Sequence, residues 1–182
     1  MNLWLRLLWC ILIQPFTPKL AVPDGVSTLN FRVMPHDLDA IGHMNNGRYL
    51  TIGDLGRLDL VLSSGLWRAV VKNRWTPIAS SIAIRYRREM RVFEPYRLET
   101  RVIGWDDTIV VIEHQFVFVK GDRAGQVASR ALFKGGFYDR KLRAFVPISE
   151  VMAAMGYNGP APAMPADVEA FLKADDAMRQ AA

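Results

Sequence analysis

Three patterns of hydrophobic and polar positions follow one another along the chain. Met1 to Phe16 is almost wholly apolar, with Asn2, Arg6, Cys10 and Gln14 spaced by four. That spacing puts the polar positions on a slowly drifting stripe along one side of a helix. Pro18 to Gly25, with prolines at 18 and 23, reads as a linker. From Ser27 to Met34 the period drops to two, with Leu29, Phe31 and Val33 alternating as in a strand. A polar loop, Pro35 to Met44, comes next. The helical period then returns: Tyr49, Ile52, Leu55, Leu58, Leu60 and Leu62 predict an apolar face that Gly65 ends, with Asn45 or Asn46 as the cap. A short helix over Leu66 to Lys72 is expected to follow.

Four strands are predicted downstream: Ile78–Arg88, Arg97–Ile103, Ile109–Lys120 and Gln126–Tyr138, with a last strand or hairpin reaching Val146. Asp106-Asp107 and Gly121-Asp122 read as turns between them. The tail holds a short helix near Ser149–Met155, a Gly/Pro linker through Pro165 and an amphipathic helix from Asp167. One strand, one long helix and then several consecutive antiparallel strands is α+β organisation. The expected division is an apolar helix and linker over residues 1–22, one domain over 23–147, and a helical extension over 148–182.

Composition narrows the classes. A chain of 182 residues with 51% hydrophobic and 23% charged residues suits one globular domain with a sizeable core. The 23 Lys+Arg against 18 Asp+Glu give +5, much of it in short arginine-rich stretches. A solvated basic surface accounts for that; a polyanionic ligand is the sharper reading, and coenzyme A qualifies as well as nucleic acid does. Cys10, the single cysteine, excludes an internal disulfide and a multi-cysteine zinc site, fits a reducing compartment, and reads as packing. The apolar amino terminus is short for a bilayer span, which needs about 20 residues, and Arg6 interrupts it. It also lacks a signal-peptide cleavage pattern. Two readings stay open: a helix docked on the protein or its dimer partner, or an interfacial anchor on a membrane surface.

The chain has no Gly-x-Ser-x-Gly, no phosphate-binding Gly-x-x-x-x-Gly-Lys and no His-x-x-x-His. His36 and His43 flank Asp39 at an odd loop spacing, so no metal site is expected. What the loop offers is a carboxylate, Asp39, about six residues before a helix whose first-turn N–H groups are unpaired and sit at the positive end of the macrodipole. A thioester carbonyl placed there would have its oxyanion stabilised by backbone donors, while the carboxylate activates water or attacks directly. His43 could orient either. The plainer reading is that Asp37 and Asp39 cap turns and His43 satisfies a buried backbone group.

The run Asp37-Leu38-Asp39-x-x-x-His43-x-Asn45-Asn46-x-x-Tyr49 resembles the signature of hotdog-fold thioesterases, including plant acyl-ACP thioesterases. Tyr49, Asp54 and Arg57 are similar to the Tyr-x-x-x-x-acid-x-x-Arg helix pattern of acyl-CoA thioesterases of the 4-hydroxybenzoyl-CoA type. The chain resembles most the group around thioesterase superfamily member six, through an apolar amino terminus, the same loop, Leu98–Arg101 and Gly104–Asp107. The resemblance implies a hotdog fold, a long central helix wrapped by an antiparallel sheet. It implies Asp39 as the catalytic carboxylate, His43 as its support, and backbone N–H groups near Asn46 as the carbonyl's donors. It also implies an active site between two subunits, hence a homodimer or tetramer. One departure stands out: Ile41 lies where the plant enzymes carry an asparagine, which removes a water-orienting amide.

Asn45, Tyr49, Arg85, Arg87 and Arg88 complete the expected substrate contacts, the arginines as holders of coenzyme A phosphates or as a charged sheet edge. Asp54 and Arg57, three apart on the helix, are expected to pair with each other. The resulting expectation is an acyl-CoA or acyl-ACP hydrolase of lipid metabolism with no cofactor beyond the coenzyme A of its substrate and no nucleic-acid partner. It is expected in the cytoplasm, with peripheral contact at the inner membrane through residues 1–16 as a further option. The rival is a weak or inactive hotdog module that binds acyl thioesters or lipid at a membrane surface. A hotdog dehydratase ranks last, since no matching motif is present.

Overall fold

Asn45 starts the central helix: its Oδ1 accepts the Gly47 N–H at 2.8 Å, which satisfies one of the first-turn donors that no intrahelical carbonyl reaches. In the computed structural model, which describes residues 2–181, that helix runs Asn46–Ser63 (α2). Before it come an amino-terminal helix, Asn2–Ile13 (α1), and a strand, Ser27–Arg32 (β1). After it come a short helix, Trp67–Asn73 (α3), and the strands Trp75–Tyr86 (β2), Pro95–Trp105 (β3), Val110–Phe118 (β4), Val127–Asp139 (β5) and Ala144–Phe145 (β6). Ile148–Ala154 (α4) and Ala166–Ala181 (α5) end the described chain. Met1 and Ala182, the outermost residues of the two predicted end segments, lie outside the described residues.

The sheet is antiparallel throughout, in the order β1-β3-β4-β5-β2, with β6 added to β5. It curls around α2, and this is the hotdog arrangement. Register places Leu29 opposite Leu98 and Thr100 opposite His114, so the inward residues of three strands meet one face of the helix. Tyr49, Ile52 and Leu55 pack there with Leu98 and Phe116, and Leu60 joins a second cluster with Ile112, Phe137 and Met152. Each such side chain contributes about 1.5–3 kcal/mol of burial. The helix face differs from the predicted one. Leu58 and Leu62 are only half-buried, whereas Gly53, Gly56, Asp59 and Ser63 face the interior. Asp59 is held by Ser27 Oγ at 2.6 Å, a pairing that apolar periodicity does not register.

Glycine sets how close the helix comes. A Cβ on Gly56 would stand 2.3 Å from Thr100 Oγ1 and 2.9 Å from Leu98 Cδ2. The α2 backbone therefore rests directly on β3. At Gly53 the nearest atoms, on Arg57 and His114, are 3.5 Å from such a Cβ, an ordinary contact.

Two helices cover this unit from outside. α1 docks on α2 through Leu3, Leu7, Cys10 and Ile13. Cys10 is fully buried and its thiol is pushed up to about 11 by that burial, with nearby Asp59 adding to the shift, so it stays a neutral packing group. The opposite face of α1 and the turn after it leave Trp4, Leu5, Leu8, Trp9, Leu12 and Phe16 exposed. No helix among the described residues is long and apolar enough to cross a membrane. α5 lies on the outer face of the sheet, where Val168 is buried against Val111 and Leu132. Lys134 pairs with Asp175 there at 2.6 Å.

The glycine contacts predict opposite outcomes for two alanine substitutions. Gly56→Ala should destabilise the fold by about 1–3 kcal/mol through overpacking. Gly53→Ala should be neutral, or stabilising by up to about 1 kcal/mol from helix propensity. Urea unfolding of the two variants beside the parent checks this, and equal effects would contradict the close approach.

Candidate active site

The loop before α2 is built around two aspartates with different surroundings. Asp37 is fully buried. Its carboxylate accepts two N–H groups of Arg6, at 3.1 and 2.5 Å, and the Met34 N–H at 2.9 Å. Its carbonyl accepts the Asn45 N–H at 2.8 Å. Asp37 thus forms the turn expected of it, and it also anchors α1, which the sequence pattern does not show.

Asp39 sits half-exposed at the loop's turn. Its Oδ1 accepts the N–H groups of Ile41 at 2.9 Å and His43 at 3.2 Å. Its own N–H reaches the His43 carbonyl at 2.8 Å, and Gly42, at φ +86°, reverses the chain between them. A left-handed residue is what so tight a reversal requires. Oδ2 has no bond among the described residues. The His43 and Ile41 N–H donors hold the carboxyl below the usual carboxylate range, so the group is anionic at neutral pH with one oxygen pinned and one free. Ile41 gives its N–H to this turn while its side chain is 80% exposed.

His43 pairs in a bridge with Arg91, and its imidazole is half-buried beside the same loop. At the helix start, Gly47 and Arg48 N–H groups are taken by Asn45 Oδ1 and the Asn45 carbonyl. The Asn46 N–H is the first-turn donor that no atom of the described residues accepts. The side chain of Asn45 is committed to the cap. The Asn46 carbonyl accepts the Tyr86 hydroxyl at 3.0 Å, so β2 braces the helix start. The sequence marks Tyr86 only as an alternating position of its strand, on the face opposite Arg85 and Arg87; its bond to Asn46 has no signal in the sequence.

The remaining predicted residues lie elsewhere. Tyr49 is buried beneath the helix start, edge-on to Phe116 and Tyr86. Arg85 and Arg87 project from the other face of the sheet, toward Arg130, Asp167 and Phe171 of the α5 side. Arg88 donates to the Val127 carbonyl at 3.0 Å. The structure therefore groups Asp39, His43, Asn45 and Asn46, and sets the arginines apart from them within one protomer.

A second polar cluster lies lower on α2. Arg57 pairs with Asp54, as their spacing predicts. It also reaches His114 Nε2 at 3.0 Å, while His114 Nδ1 lies 2.9 Å from Thr100 Oγ1. Arginine can only donate, so Nε2 accepts and the Nδ1–H donates to Thr100. Burial, followed by the neighbouring Arg57 charge, pushes His114 down to about 3, which keeps it neutral. The Arg57 guanidinium lies 3.9 Å over the Phe133 ring, at the edge of a cavity of about 460 Å³ lined by Leu58, Val61, Trp67, Val71 and Ile78. Asp54 lies about 12 Å along the helix from Asn46, so in one protomer the apolar cavity and the Asp39 loop are apart. Among the described residues, no three His, Cys, Asp or Glu side chains converge on a metal position.

Residues 33–156, about two thirds of the chain, match the family model described as the Thioesterase-like superfamily. Over 110 residues the chain is 37% identical to Protein THEM6 of Xenopus laevis, covering 60% of this chain and 52% of that protein. The chain spans about half the length of the curated relatives it matches. Among solved structures, the YbaW probable thioesterase of Escherichia coli superposes with a TM-score of 0.64 at 20% identity, over 70% of this chain and 97% of that one. Slr0204, a 1,4-dihydroxy-2-naphthoyl-CoA thioesterase from Synechocystis, gives 0.61 at 12% identity, over 75% and 100%. These two likenesses are of fold. The matched family span contains the loop, α2 and the sheet, and leaves α1 and α5 outside it.

Proposed function

The chain belongs to the thioesterase-like superfamily, and on that premise we propose that it hydrolyses acyl thioesters of coenzyme A or acyl-carrier protein at the Asp39 loop. The observation that carries this reading is the Asp39 carboxylate itself, with Oδ1 fixed by two N–H groups and Oδ2 free, ahead of an uncommitted Asn46 N–H. The thioester oxygen accepts that N–H at the positive end of the helix, where negative charge grows as the carbonyl carbon becomes tetrahedral. Asp39 Oδ2 either attacks that carbon, giving an acyl anhydride that water then cleaves, or takes the proton of the attacking water. In both routes one water is consumed, the C–S bond breaks, and the products are the carboxylic acid and the free thiol. His43, beside the turn, orients the water. Coenzyme A enters as part of the substrate, and no separate cofactor has a step.

The acyl group needs an enclosure that one protomer does not place at Asp39. β2 is a long edge strand. Antiparallel pairing with the same strand of a second copy sets its Tyr86 end against the other's Trp75 end. The cavity beside Ile78 then approaches the partner's Asp39 loop, which favours a homodimer as the working unit. Arg85 and Arg87, on the outer face of that same edge, can meet phosphates only where a long substrate wraps over the strand.

The exposed face of α1 belongs to this reading as well. Two tryptophans and three leucines on one side of a docked helix, with Phe16 in the turn after it, suit the headgroup boundary of a bilayer, on a chain of net charge +5. The protein would then work from the cytoplasmic surface of a membrane.

Thiol release from a panel of acyl-CoAs is the test of activity. Asp39→Asn keeps an acceptor for Ile41 and His43 and should lower kcat by about 10²-fold or more without loss of fold. The activity that depends on the Asp39 carboxylate should be lost only as pH drops through its depressed range, below that of an ordinary carboxylate. Undiminished turnover in Asp39→Asn would remove Asp39 from the chemistry, and saturable acyl-CoA binding without parental turnover would identify a binding module instead. For the membrane face, the protein should sediment with phosphatidylcholine–phosphatidylglycerol vesicles and Leu5→Glu/Leu8→Glu should stay in the supernatant. Equal sedimentation of both, or of neither, contradicts it.

A further inference from the structure

We infer that Arg6 is a positioning residue for the Asp39 loop, so that α1 sets the geometry of the site as well as covering the core. The inference rests on the proposed role of Asp39, and four observations carry it. Asp37 is fully buried, and two of the three N–H groups on its carboxylate come from Arg6. The same guanidinium donates to the Arg32 carbonyl at 3.0 Å, at the end of β1, and lies over the Phe31 ring. The Asp37 carbonyl holds the N–H of Asn45, the residue that caps α2. Asp39 is two residues further on, and the proposed reacting groups, Asp39, His43 and the Asn46 N–H, all lie within the loop and helix start that Asp37 and Asn45 bracket.

One aspartate therefore joins three things: the strand end before the loop, the helix start after it, and α1. Of these, only the α1 contact is made by a charged side chain reaching from outside the sheet-and-helix unit. Arg48 Nε and His36 Nε2 also approach the Asp37 carboxylate, at 3.7 and 3.6 Å, beyond hydrogen-bond length. Without Arg6 the buried carboxylate keeps the single N–H of Met34. A buried anion so placed must take up a proton, draw in water or pull Arg48 closer, and each of these changes moves the Asp37 carbonyl that steadies Asn45. The two-pronged geometry explains a charge inside an otherwise apolar helix, since a planar fork matches both carboxylate oxygens at once.

The test uses the full chain with Arg6→Gln, Arg6→Lys and the double variant Arg6→Gln/Asp37→Asn, and two readouts. In Arg6→Gln, kcat on an acyl-CoA should fall about ten-fold or more with KM nearly unchanged, because the reacting groups are misplaced while the acyl cavity is intact. Amide exchange should quicken about ten-fold over residues 38–46, with β3 to β5 unchanged. Arg6→Lys, one prong without the fork, should recover part of both. If Arg6→Gln does not fold, the double variant, which leaves no buried charge, takes its place with the same expected loop-confined exchange. Parental kcat and exchange in the folded variant, or exchange that quickens uniformly across the sheet, would overturn the inference. Should the parent itself release no thiol, the catalytic reading of Asp39 fails, while the exchange measurement still decides whether Arg6 holds the loop.

Discussion

The fold depends on the bare backbone of α2 lying on β3. With no side chain at Gly56, the helix touches Thr100 and Leu98 directly, and the sheet can curl far enough to enclose it. This close approach brings Thr100 and His114 under the helix, where they form a hydrogen-bonded pair that no water reaches. It also fixes the helix axis relative to the strands. Because the axis is fixed, the Tyr86 hydroxyl meets the Asn46 carbonyl and the amino terminus of α2 points at a defined place beside the Asp39 turn. A helix held further off by one methyl would lose both the enclosure and the aim.

The site built on that platform divides its work between two aspartates. Asp37 is buried and fully bonded, which suits a group that holds geometry. Asp39 is half-exposed with a free oxygen, which suits a group that meets substrate. The polar cluster of Asp54, Arg57 and His114 serves differently: a neutral imidazole and a stacked guanidinium carry polarity through the wall of an apolar cavity without leaving a buried donor unpaired.

Much of the fold was legible because it rests on local spacing. The Asn45 cap, the strand alternation at Leu29, Phe31 and Val33, and the Asp54–Arg57 pair all lie within four residues of their causes. The hotdog arrangement itself came from the resemblance of the Asp37–Tyr49 run, with element order in agreement. What stayed hidden was long-range or contrary to pattern. Arg6 and Asp37 are 31 residues apart, and an arginine in an apolar helix reads as an interruption until its partner is seen. Glu113, buried between Arg101 and Arg130 under α5, looks like a surface residue of β4 because α5 arrives from far along the chain. Leu58 and Leu62 match the apolar period yet line a cavity, since the glycines on the neighbouring face turned the helix toward the sheet. Of the site residues, Asp39, His43, Asn45 and Asn46 are neighbours in sequence as in space, whereas Arg85 and Arg87 fall on the far face because strand alternation alone does not say which face is inward.

A crystal structure with an acyl-CoA analogue in which a methylene replaces the sulfur would show whether a thioester carbonyl is held at the start of α2 against Asp39. The carbonyl oxygen is expected about 3 Å from the Asn46 nitrogen, Asp39 Oδ2 about 3–3.5 Å from the carbonyl carbon, and the acyl group in the cavity beside Ile78 of the second protomer. A carbonyl seated instead at Asp54 and Arg57, remote from any Asp39, would contradict it.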